Sequence, residues 1–114
     1  MDKALLLQWK ELSFEKVTDK MFRRIFVGQN FQVISVEGKE GASIPIHSHD
    51  NAEQITVMLE GTLMMVAGGV EHILTTDTVF IIPRKIPHSG KILKDCRYVD
   101  FFTAPVQLFK GIPP

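Results

Sequence analysis

Apolar positions along this chain fall in short stretches rich in β-branched and aromatic residues, which glycine, proline or polar clusters interrupt at close intervals. Met21 to Val27 reads as a strand, ended by a turn at Gly28-Gln-Asn30. Phe31 to Val36 is a second strand, and Glu37 to Gly41 is a polar turn whose two glycines can take positive φ. Ser43 to His49 follows, turns at Asp50-Asn-Ala52, and runs back as Glu53 to Leu59. Glu60-Gly61 reads as a hairpin turn before Thr62 to Val66, and Ala67-Gly-Gly69 as a tight turn into Val70 to Leu74. Thr75-Thr-Asp77 leads to Thr78 to Ile82, the most continuously apolar strand. Pro83 to Pro87 is a turn, His88 opens another strand, Lys94-Asp95 turns into Arg97 to Thr103, and Pro105 begins a tail. Met1 to Leu12 reads as a helical turn or an edge strand anchored by Trp9 and Leu12. Roughly eight to ten short strands without a helical period predict an all-β antiparallel sandwich or barrel.

A chain of 114 residues forms one domain, 1–114, with room for one core. Thirteen basic and thirteen acidic side chains cancel, which leaves no electrostatic footprint for nucleic acid or an anionic membrane. The single cysteine, Cys96, cannot form an intramolecular disulfide. The early apolar run, Ala4 to Leu7, is too short for a signal segment or a span, so a cytoplasmic protein is expected.

Chemistry concentrates at three places. His47 and His49 are one residue apart, so on a strand they share a face. His88 stands at the end of the Pro83–Pro87 turn, and Glu53 or Gln54 follows the histidine pair. Imidazoles with a carboxylate or carboxamide suit a first-row transition metal better than Ca²⁺ or Mg²⁺. Glu53 and Gln54 exclude one another by strand parity; if Gln54 faces inward, Thr56 and Met58 do too. Arg23 and Arg24 must face opposite ways, with one able to enter a cavity and meet an anion. His72 reads as a surface residue and Cys96 as an inert thiol. Met58, Met64 and Met65 read as core or cavity lining, and Phe80, Phe101 and Phe102 as core.

The His segments resemble the two motifs of the cupin superfamily. Gly41, five residues, His47, His49 and a closing Gly61 fit the first motif. Pro83 and His88 hold their places in the second, with Asp77 and Lys85 where that motif has glycines and Ile92 where it has Asn. Gln54 leaves the motif's six residues before Gly61, which favours it over Glu53. The resemblance implies a jelly-roll barrel with the metal inside. The Glu53-Gln54 pair, Val57-Met-Leu-Glu-Gly61 and Val99-Asp-Phe-Phe-Thr-Ala-Pro105 are similar to small cupins that linearise 4,5-unsaturated uronates from pectin and alginate. Carried over, that likeness implies His47, His49, Gln54 and His88 as ligands, Asp100 as the catalytic acid/base and Phe102 as a pocket aromatic. Met58 joins Phe102 as a pocket residue, and Val106 stands where the family often has an Arg.

Four uncharged ligands leave one divalent ion (Ni, Zn, Fe, Mn or Co) its full charge for Lewis-acid work on a small, anionic substrate. The alternatives are an iron-dependent dioxygenase and a non-catalytic, metal-dependent binder of sugars or other small ligands. Apolar residues on both faces of Glu53 to Leu59 predict a covered outer face, and hence a homodimer.

Overall fold

A computed structural model describes residues 3–109. After a 3₁₀ turn at Trp9–Glu11 the chain forms β1 (Ser13–Thr18), β2 (Met21–Val27), β3 (Gln32–Gly38) and β4 (Ser43–His47), then β5 (Gln54–Ala67), β6 (Val70–Leu74), β7 (Val79–Ile82) and β8 (His88–Phe102). All pairings are antiparallel. The long strands β5 and β8 pair with each other and serve both layers of a jelly roll. One layer runs β1-β2-β3, the second half of β8, the first half of β5, then β7. The other runs β4, the first half of β8, the second half of β5, then β6. No helix among the described residues is long and apolar enough to cross a membrane.

Two expected turns are bends instead. Glu60-Gly61 lies inside β5 and Lys94-Asp95 inside β8, and the two sites face each other where the register shifts repeatedly. A polar, glycine-bearing pair signals a change of chain direction, and a bulge answers that signal as well as a hairpin does. Gly61 has φ 85° there, and a Cβ on it would meet the Asp95 carbonyl oxygen and Cys96 backbone. β1 carries no strand signal in the sequence because it is an edge strand, exposed or half-exposed throughout, with little apolar pattern.

The core lies between the layers. Met21, Ile34, Val36 and Tyr98 face Ile44, Leu63 and Ile92 from the opposite layer, all nearly inaccessible. Trp9 and Leu12 line an outer groove with Phe26, Phe31 and Val33 rather than entering this core.

The turns before β7 and β8 hold Asp77 and Lys85 at φ 67° and 68°, the two non-glycine residues in this backbone region among those described. They occupy the positions where the second cupin motif has glycine. A β-carbon in the left-handed region costs about 1–2 kcal/mol, partly offset by glycine's larger entropy when unfolded. Lys85→Gly is therefore expected to raise stability by about 0.5–1 kcal/mol, read as a higher urea midpoint with an unchanged slope.

Candidate metal centre

The site is assembled at one end of the barrel by the end of β4, the loop after it, and the starts of β5 and β8. Within β4 the pairing passes from Ile44↔Gly90 to His47↔His88, so β4 carries one extra residue across Pro45-Ile46. Pro45 cannot donate to the ladder and is tolerated at such a bulge. Ile46 is thrown out to solvent while Ile44 and His47 both turn inward. Plain alternation would have separated Ile44 from His47; the bulge reconciles an apolar core residue with a ligand three positions on. His49 is inside as well, although it lies beyond the end of the strand. The Lys85 N–H donates to the His49 carbonyl at 2.8 Å and fixes that loop against the turn before β8.

His47, His49 and His88 each bring a ring nitrogen to within 4.8 Å of the others. Carbonyl oxygens only accept hydrogen bonds, so Pro45 O at 2.7 Å from His47 Nδ1 and Ile86 O at 2.9 Å from His88 Nδ1 place the ring protons there. The Nε2 lone pairs are left free, as ligation needs. Nε2 of His49 and of His88 are buried without a partner. Burial is the largest cause holding all three imidazoles neutral, and His49, also repelled by His47 and His88, is pushed down to about 4.

Gln54 faces this cavity, 6% exposed, and Glu53 is exposed. Thr56 donates its hydroxyl proton to Asp100 Oδ1 at 2.6 Å and accepts from Gln54 Nε2 at 3.2 Å. That relay fixes the carboxamide: the amine points at Thr56, and Oε1 is left buried without a partner. Three orphaned polar atoms at one small, mostly apolar cavity, two imidazole nitrogens and a carboxamide oxygen, fit a transition-metal ion.

Asp100 sits directly across from Thr56 and lines the same cavity. Burial pushes its carboxyl up to about 6, while hydrogen bonds from Thr56 and Gln54 and the charge of Arg23 pull the other way. Phe102 is buried with its ring edge-on to His49 at 5.0 Å. Met58 shares their face but is packed in the core one step further along β5, where Tyr98 rather than Met58 forms the cavity wall. Arg23 turns inward and is 4% exposed, and Arg24 turns outward over the Phe14 ring. Val106 gives its N–H to Gln32 and packs its side chain on the core. His72 is exposed, beside Phe80. Cys96 is buried and its thiol pushed up to about 11, first by burial, which makes it inert. Leu108 and Phe109 close the cavity from the tail, a role with no periodic signal in the sequence to announce it.

Over residues 35–102 the sequence matches the family described as Cupin domain. The chain belongs to the cupin family. Its fold is similar to that of KdgF from Halomonas sp., with TM-score 0.83, 20% identity, and coverage of 92% of this chain and 97% of that one. An RmlC-like cupin from Shewanella frigidimarina gives TM-score 0.82 at 17% identity, covering 92% and 95%. The Bacillus subtilis oxalate decarboxylase, a protein with Mn(II) centres, gives 0.79 at 16% identity, covering 96% of this cupin and 34% of that chain. No curated protein sequence matches significantly. In this cupin, His47, His49 and His88 could hold a metal ion, and Gln54 and Asp100 line the same cavity.

Proposed function

We propose that this cupin is a metal-dependent enzyme that opens the ring of a 4,5-unsaturated uronate. The observation that carries the reading is Asp100: a carboxyl held near neutrality, hydrogen-bonded through Thr56 to Gln54, in the cavity shared by three histidines. The motif residues that resemble uronate-linearising cupins support it, as does the fold-level likeness to KdgF. His47, His49, Gln54 and His88 would hold one divalent ion, among Ni, Zn, Fe, Mn and Co. When bound, such an ion supplies Lewis acidity and orients an anionic substrate.

Asp100, close to half-protonated near pH 6, is suited to move protons both ways. It would donate to C4 of the C4=C5 double bond and take a proton from the water whose oxygen adds at C5. The hemiketal so formed opens as its bond from C5 to the ring oxygen breaks, leaving a 5-keto acid. Phe102 provides a dry wall beside His49 that keeps Asp100 poorly solvated. Incubation of the metal-loaded protein with an unsaturated uronate in D₂O should abolish the ultraviolet absorbance of the double bond and place deuterium at C4. A protein that binds the uronate and leaves it intact would be a metal-dependent binder instead.

The sheet's outer face supports a homodimer. Ile55 is flanked by Ile81 and Phe101, and Val57 by Val79 and Val99, which makes one apolar surface across β7, β5 and β8. Val79 and Ile81 remain at least half exposed. A second copy set on this face would cover them. Sedimentation should give a dimer for the native chain and a folded monomer for Ile81→Asp; a native monomer at high concentration would remove the proposal.

A further inference from the structure

The cavity is divided by the tail. The inner compartment, walled by the ligand set and Asp100, measures about 30 Å³, room for roughly one or two waters and far less than a sugar requires. Outside it, a groove of about 480 Å³ runs between the loop His47–Asn51 and the tail Pro105–Phe109. His47, His49, Leu108 and Phe109 line both spaces and so form the partition.

Arg23 is the residue to which the partition is fastened. Its guanidinium lines the inner compartment, donates through Nη2 to the Phe109 carbonyl at 2.8 Å, and lies 5.1 Å from the centre of the Phe109 ring. The same Nη2 meets Glu15 on the edge strand, whose side chain is nearly half exposed. Nε is buried and has no partner. A permanent cation with an unsatisfied donor inside a cavity is a receptor for an anion. At its other end the tail is pinned where Gln32 accepts from the Val106 N–H at 2.8 Å, which leaves Gln107–Phe109 as the movable part.

We propose that Arg23 recognises the carboxylate of the ligand, and that the strap Gln107–Phe109 shuts the cavity until a carboxylate replaces the Phe109 carbonyl on the guanidinium. The step rests on the sugar-acid reading only for the ligand's class. A carboxylate makes a two-pronged contact with charge on both partners, where the Phe109 carbonyl offers one bond and no charge, and can satisfy the orphaned Nε. The freed carbonyl passes to water, and removal of the Phe109 ring from His47 joins the inner compartment to the groove. An arginine on β2 would thus do what a tail arginine cannot do in a chain with Val106.

The test is calorimetric titration of the metal-loaded protein with D-glucuronate and its neutral amide, D-glucuronamide. Wild type should favour glucuronate by roughly 10- to 100-fold, Arg23→Gln should lose that preference with metal content and circular dichroism unchanged, and Phe109→Ala should bind glucuronate several-fold more tightly. If Arg23→Gln does not fold, Glu15→Gln takes its place: without the competing carboxylate, glucuronate should bind more tightly and glucuronamide as before. A folded Arg23→Gln that keeps the preference overturns the proposal. So does weaker binding to Phe109→Ala, no gain in Glu15→Gln, or absence of glucuronate binding in both wild type and Phe109→Ala. Glucuronate has no C4=C5 bond, so these results stand apart from whether an unsaturated uronate is turned over.

Discussion

Gln54→Ala is expected to release the metal, and Glu53→Ala to keep it. The two side chains are neighbours in sequence with nearly identical volume, yet only Gln54 presents an oxygen to the cavity. Its Oε1 is buried, lacks a hydrogen-bond partner, and is held in that orientation by the Thr56 hydroxyl. Outer partners of metal ligands are already worth about 10- to 100-fold in affinity, so loss of a direct ligand should exceed roughly 100-fold. Elemental analysis after dialysis against a weak chelator reads the difference: close to one ion per chain in wild type and Glu53→Ala, and little in Gln54→Ala. His88→Ala, which removes a buried imidazole from the site, should lose the ion as well. Retention by Gln54→Ala together with loss from Glu53→Ala would remove the carboxamide from the site and require a different inner geometry.

The contrast between those neighbours was legible in the sequence because strand alternation is a property of the backbone. The spacing to Gly61 chose Gln54, and parity then carried Thr56 inward with it, where it became the link to Asp100. Parity also said that one of Arg23 and Arg24 faces inward but not which. The choice is made by register, since Arg23 lies opposite Val36 and two places from Met21, all on the core side. Other features depend on contacts that no local pattern encodes. The bends in β5 and β8 match each other across the sheet, and each alone looks like a hairpin turn. The bulge at Pro45-Ile46 is needed because Ile44 and His47 must share an interior. The strap is held by single residues, Gln32 and Arg23, far away in sequence.

Asp100→Asn is expected to do two opposite things, and the pair of effects separates a catalytic carboxyl from a structural one. Turnover of an unsaturated uronate should fall by roughly 10²- to 10⁴-fold, the usual worth of a positioned acid or base. The metal-stripped protein, by contrast, should become more stable. A carboxyl pushed from 3.8 to about 6 by burial favours its neutral form in the folded state, so its ionisation destabilises the fold. Below about pH 3 the group is largely neutral in both states and the penalty vanishes; it grows as pH rises through 3.8 and is complete above about pH 7. At about 1.4 kcal/mol per unit, Asn should then gain about 2–3 kcal/mol at pH 8. The amide oxygen can still accept from Thr56, so that hydroxyl keeps its partner. The histidines lose protons over the same range in both proteins and cancel in the comparison. Urea midpoints at pH 8 and pH 4, taken in chelator, measure the gain and its decline. An Asn variant that is less stable at pH 8 would mean that the Asp100 charge is held by favourable contacts. The carboxyl would then be a strut for Thr56 and Gln54, and the proton would have to come from elsewhere in the cavity.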